Sequence, residues 1–158
     1  MFAGLSDPEL YRFMADKPPL SVEALRQRYE RLGSRQSPDG REQWLNWAIR
    51  RSLDGNVAGF VQATIADGAA EIAYVIFRSQ WSQGLAHEAI LAMIEELFSN
   101  GVVSVAARSD CGNSRSRRLL ERLGFVERPL PLFMQEEDPE DVWYVLERAD
   151  SRPAGPVR

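Results

Sequence analysis

The stretch Trp81–Ile90 reads WSQGLAHEAI, and it follows Glu71–Phe77, EIAYVIF, after a short link. The earlier run is rich in β-branched and aromatic residues and has the length of a strand. Its apolar residues do not alternate cleanly with polar ones, which predicts that both faces are covered. A helix must then lie against at least one of them. The spacing predicts that helix over Gln83–Ser99. Leu85, Ala86, Ala89, Ile90, Met93, Ile94, Leu97 and Phe98 recur at helical intervals, with His87, Glu88, Glu95 and Glu96 on the other side. Gly84 sits in the joint. Gly84 and the small Ala86 admit close approach of a ligand to the backbone. The first amides of a helix lack internal partners, and the helix dipole puts its positive end there. Such a place can hold a phosphate. A dinucleotide fingerprint needs further glycines and a P-loop needs Lys-Ser or Lys-Thr, and neither is present. Taken alone, the stretch reads as a plain strand–helix joint before it reads as a phosphate site.

The neighbouring segments extend the pattern. Val102–Ser109, VVSVAARS, is a further apolar strand, so strand–helix–strand predicts a right-handed parallel crossover. Upstream, Arg41–Arg51 and Val57–Ile65 read as strands joined by the turn Leu53–Asn56, with a second turn at Ala66–Ala70. Before them, Pro8–Asp16 reads as a short helix that Pro18 and Pro19 interrupt. Ser21 reads as the N-cap of Val22–Leu32, with Gly33 as its stop. Downstream come a helix, Asn113–Leu123, closed by Gly124, and an extended stretch, Phe125–Met134. An acidic loop, Gln135–Asp141, and a last strand, Val142–Ala149, follow. The expected fold is α/β: a mixed, mostly antiparallel central sheet with one parallel crossover, flanked by helices and not doubly wound. Residues 1–149 are expected to form a single domain and residues 150–158 a disordered tail.

The bulk numbers exclude several classes. The chain has 158 residues, with 44% hydrophobic, 27% charged and a net charge of −4. Nothing in that balance suggests a nucleic-acid partner. No apolar run reaches bilayer length, and the N-terminus carries no basic-then-apolar leader, so neither a membrane partner nor a secretory signal is read. A single cysteine, Cys111, allows no internal disulfide and suits a reducing cytoplasm. With one histidine and one cysteine, no metal site is expected.

Three ordered motifs then resemble one family. Trp81-Ser82-Gln83-Gly84-Leu85-Ala86 is similar to the acyl-CoA motif Arg/Gln-x-x-Gly-x-Gly/Ala of the GNAT N-acetyltransferases, with Trp81 departing from the usual first residue. "NSRSRRLLERLGF" resembles the family's second signature, with Asn113, Ser116, Leu120, Glu121, Leu123, Gly124 and Phe125 fitting. "EIAYVIF" resembles the strand that pairs with the pantetheine arm. The resemblance spans about Trp44 to Ala149 and is nearest to the ribosomal-protein N-terminal acetyltransferase branch.

That resemblance implies acetyl-CoA as co-substrate and an amine as acceptor, a protein N-terminus or a small-molecule amine, attacking the thioester directly. It implies that the amides of Tyr74, Val75 and Ile76 bond the pantetheine, with an amide near Val75 as oxyanion donor. Ser82, Gln83, Gly84, Leu85 and Ala86 would hold the pyrophosphate. Glu71 is either a base working through water or a strand-end carboxylate in solvent. Ser116 either protonates the leaving thiolate or bonds within its helix cap. Asn113 positions the cofactor or caps the helix. Tyr74 could donate a proton, though an aromatic in a central strand is more often core. Cys111 reads as a small buried hydrophobe, His87 as a surface residue, and Arg115, Arg117, Arg118 and Arg122 as a solvated face with reach to a CoA phosphate. A base-poor site suits an α-amine, which costs about 1.2 kcal/mol to deprotonate at pH 7 against about 4.6 for lysine. The carboxylates of Glu136–Asp141 would gather a cationic acceptor or merely solvate a loop. An acyl-CoA-binding sensor or interaction module without catalysis is the alternative reading, and a homodimer is left open.

Overall fold

The computed structural model describes residues 1–131 and 140–148. Most of the acidic loop, including Glu136, Glu137 and Asp138, and the tail from residue 149 lie outside the described residues. The strands are β1 (Gln43–Arg50), β2 (Val57–Ala66), β3 (Ala69–Ile76), β4 (Ser104–Asp110), β5 (Val126–Arg128) and β6 (Asp141–Glu147). They form a six-stranded sheet in the order β1-β2-β3-β4-β6-β5. Every neighbouring pair is antiparallel except β3 with β4. The parallel pair is joined by the expected crossover helix. The mixed α/β architecture is therefore the one the sequence predicts.

The helices are α1 (Phe2–Leu5), α2 (Val22–Leu32), α3 (Leu85–Ser99) and α4 (Ser114–Arg122). Ser21 caps α2 by accepting from the Ala24 amide at 3.1 Å. Helix α3 begins at Leu85, not Gln83, because Gly84 takes a left-handed φ of 79° and acts as its N-cap. The helix expected over Pro8–Asp16 is only a 3₁₀ turn, Pro8–Tyr11. Pro8 and the Asp7 cap start that turn, and the Tyr11 hydroxyl then fastens to the Leu5 carbonyl at 2.9 Å. Helix α1 carries too little periodicity to be read from the sequence. No helix among the described residues is long and apolar enough to cross a membrane.

The sheet is covered on both faces, as EIAYVIF predicts. On one side Val61, Ile72, Val105 and Tyr144 pack with Ile90, Met93, Ile94 and Leu97 of α3 and Leu119 and Leu120 of α4. On the other, Val75 and Phe77 pack with Leu5 and Leu25.

One turn sets which backbone groups face which neighbour. Ala66 pairs with Ala69 across Asp67 and Gly68, whose φ angles are 50° and 78°. Two positive φ values in a two-residue loop make a type I′ hairpin, whose flanking pair exchanges hydrogen bonds. By alternation Glu71, Ala73, Val75 and Phe77 bond β2, and the Phe77 amide does reach the Ala58 carbonyl at 2.8 Å. Ile72, Tyr74 and Ile76 therefore turn their N–H and C=O groups towards β4. The β3–β4 ladder ends at Ile72 and Ala107. Beyond it the strands part, and the Tyr74 and Ile76 edges face an opening.

Candidate functional site

That opening is a cleft of about 400 Å³. One wall is the far half of β3 and the other is the start of α4. The N-terminus of α3 closes one end, and Phe13 and Met14 lie along one side. The charged residues lining it are Arg108, Arg115 and Arg122, with no carboxylate among the described lining residues. A chain of net charge −4 thus keeps a cationic cleft, which suits a ligand bearing phosphates. Phe13 and Met14 are unusually exposed for their size and leave apolar surface along the same cleft.

The α3 end is built for an anion. The first helical bond runs from the Glu88 amide to the Gly84 carbonyl, so the amides of Leu85, Ala86 and His87 lack partners within the helix. Ser82 also takes a positive φ, 63°, ahead of Gly84, and the two together curl the loop so that Ser82 to Ala86 line the cleft. A side chain at Gly84 would meet no protein atom within 4 Å. Glycine is needed there for its left-handed backbone and for the open space in front of it.

Trp81, the departure from the expected motif, has a structural task. Its Nε1 donates to the Ile76 carbonyl at 2.7 Å, and the Arg115 guanidinium stacks 4.5 Å from its ring centroid. The indole thus satisfies one of the backbone groups that β4 leaves unpaired and holds a cation beside the cleft.

Between the two walls the Tyr74 hydroxyl and Ser116 Oγ lie 2.8 Å apart. Ser116 sits in the first turn of α4. Asn113 is the cap there, its Oδ1 accepting from the Ser116 amide at 3.2 Å. The Ser116 hydroxyl is therefore not the capping group. Burial pushes the Tyr74 phenol above its ordinary value, and the hydrogen bond to Ser116 opposes that shift only in part. The phenol stays protonated at neutral pH.

The remaining expectations fare differently. Val75 bonds β2 and buries its side chain, so the amides that face the opening are those of Tyr74 and Ile76. Glu71 Oε1 accepts from Arg108 Nε at 3.0 Å, an ion pair between β3 and β4. Cys111 is exposed rather than buried, because it lies on the turn after β4, its carbonyl accepting from Arg117 Nη1 at 3.2 Å. His87 is half-buried at the cleft edge. The arginine cluster divides. Arg115 and Arg122 line the cleft, whereas Arg117 turns inward, with Nε donating to the buried Tyr144 hydroxyl at 3.1 Å and Nη2 meeting Glu127 at 3.3 Å. The sequence signal for Arg115 was Trp81 itself, an aromatic standing where the motif carries a polar residue.

Comparison with known proteins agrees with this geometry. The family model described as acetyltransferase (GNAT) domain matches residues 1–126. A comparison with curated proteins finds no significant match. Among solved structures, spermidine N-acetyltransferase from Vibrio cholerae in complex with CoA and spermine aligns with TM-score 0.73 and 17% identity, over 92% of this chain and 86% of that one. The ribosomal-protein-S18-alanine N-acetyltransferase from Escherichia coli aligns with TM-score 0.62 and 20% identity, over 99% and 92%. An aminoglycoside acetyltransferase in complex with coenzyme A aligns with TM-score 0.69 and 17% identity, over 93% and 87%. At such identities these likenesses establish the shared fold.

Proposed function

This chain belongs to the GNAT acetyltransferase family, and we propose that it transfers an acetyl group from acetyl-CoA to a primary amine, a protein N-terminus or a small-molecule amine, by direct attack on the thioester. The observation that carries the reading is the parting of β3 from β4 beyond Ile72, with the Tyr74–Ser116 hydroxyl pair on its wall.

Acetyl-CoA supplies a thioester whose carbonyl is attacked and whose thiolate leaves. The free amides of Leu85, Ala86 and His87, with Arg115 nearby, suit its phosphates. The gap-facing N–H and C=O groups of Tyr74 suit the amides of its pantetheine arm. The Ile76 amide, which also faces the gap, is the donor we assign to the oxyanion. Ser116 gives its proton to the departing sulfur and takes one from Tyr74, whose phenol is recharged from solvent. Glu71 is committed to Arg108, so the amine must lose its proton to water or arrive neutral. That requirement favours an α-amine over a lysine.

The test is a thiol-release assay with acetyl-CoA over a panel of α-amines, lysine peptides and polyamines, alongside calorimetric binding of CoA. Tight CoA binding with thiol release for at least one amine is expected. CoA binding without release for any amine would leave a sensor, and failure to bind CoA would remove the site.

A further inference from the structure

On the face of the sheet opposite α3, a second cavity of about 430 Å³ opens between α2 and strands β1 to β3. Its volume is in the range of small-ligand sites, ~300–1,000 Å³. Leu5, Leu25, Leu32 and Phe60 give it an apolar floor. It adjoins the acyl-CoA cleft, because Met14 and Val75 line both. Val75 is the chain neighbour of Tyr74. A molecule seated here therefore lies beside the cleft that opens between β3 and β4.

The side-chain charges on this cavity come from Asp16, Lys17, Arg28 and Arg31. Asp16 sits 3.7 Å from Arg28, and those two offset each other. Lys17 and Arg31 have no ion partner among the described residues. The Tyr29 hydroxyl and the side-chain amides of Asn46 and Gln62 also line the wall, and none is engaged in a hydrogen bond among the described residues. The unspent groups are thus two cations and several neutral donors over an apolar floor. An extra ammonium in such a place is repelled, and a carboxylate is attracted and bonded.

We infer that the acceptor is an amine whose apolar body carries an anionic group, and that Lys17 and Arg31 read that group and select against polycationic amines. This rests on the transfer reading above, since it identifies what enters beside the thioester. It places the selection on α2 and the segment before it.

The probes are two tripeptides with free α-amines, Phe-Glu-Glu and Phe-Lys-Lys. Each is titrated by calorimetry into CoA-saturated protein and assayed for thiol release with acetyl-CoA. Phe-Glu-Glu should bind about tenfold more tightly than Phe-Lys-Lys. The double variant K17E/R31E should reverse that order, and the single variant R31Q should narrow it, with CoA affinity retained as the check on folding. Equal or tighter binding of Phe-Lys-Lys by the wild type, an unchanged order in the folded variants, or no binding of either peptide would overturn the inference. Preferential binding of Phe-Glu-Glu without thiol release would instead sink the transfer reading and leave this recognition standing.

Discussion

The hydroxyls of Tyr74 and Ser116 meet at 2.8 Å, joining the centre of β3 to the first turn of α4 across 42 positions of sequence. Neither group alone is matched to protonating a thiolate. A serine hydroxyl is a very weak acid, and the Tyr74 phenol is buried and held above its ordinary value. In the proposed transfer the two together would form a short proton path ending in the cleft.

Ser116→Ala removes the end of that path. Because Asn113 caps α4, the helix keeps its cap and the stability of the variant should change little. The expected result is a fall in kcat of about 10²–10⁴-fold with the acetyl-CoA KM nearly unchanged. Steady-state kinetics and a thermal melt decide it, and a loss under about threefold would leave Ser116 as a positioning group.

Tyr74→Phe keeps the ring in the core and removes the proton behind Ser116. The rate should fall, and the double variant with Ser116→Ala should be no slower than the slower single variant, since groups acting as a unit are not additive. The sign of the pH effect follows from desolvation, which disfavours the phenolate and raises the pKa above 10.0. The active, protonated form therefore persists on the alkaline side, and this group should cause no loss of the wild-type rate at neutral or mildly alkaline pH. A decline beginning near pH 8 that vanishes in Tyr74→Phe would contradict this.

Gly84→Val tests the α3 terminus. The new Cβ meets no protein atom, so the folding cost is backbone strain at a φ of 79°, about 1–2 kcal/mol. A bound pyrophosphate would meet the same side chain directly. Acetyl-CoA affinity should drop well beyond the loss in stability, and unchanged affinity in a folded variant would place the phosphates elsewhere.

Arg115→Ala takes away the cation stacked on Trp81. Acetyl-CoA KM should rise about three- to tenfold and its salt dependence should flatten, with kcat nearly unchanged. Acetyl-pantetheine, which lacks the nucleotide phosphates, should be used equally well by variant and wild type. Equal loss with both donors would assign Arg115 to the architecture of the loop.

Glu71→Gln separates a base from a structural ion pair. With the carboxylate bound to Arg108 at 3.0 Å, kcat/KM should fall less than about tenfold and the acid limb of the pH profile should stay in place. A hundredfold fall together with a moved acid limb would return Glu71 to proton abstraction from the amine.

The features legible in the sequence are those that rest on local chemistry. The apolar repeat Leu85–Phe98 specifies α3 because a helix places every third or fourth residue on one stripe. Asp67-Gly68 specifies the β2–β3 hairpin because both residues tolerate positive φ. Gly84 marks the start of α3, and Asn113 marks that of α4, for equally local reasons. These elements in order fix the mixed sheet and the crossover.

Only the tertiary structure decided what those elements bring together. That the backbone N–H and C=O of Tyr74 face the opening while those of Val75 bond β2 depends on the hairpin register, which one residue of slip would invert. That Ser116 meets Tyr74, that Arg115 finds Trp81, and that Arg108 occupies Glu71 depends on packing between segments distant along the chain. The second cavity depends on how α2 lies over Phe60 and Val75. Periodicity determines which face of an element is buried. It carries no information on which side chain of another element will stand opposite, because that is chosen by the fit of whole surfaces.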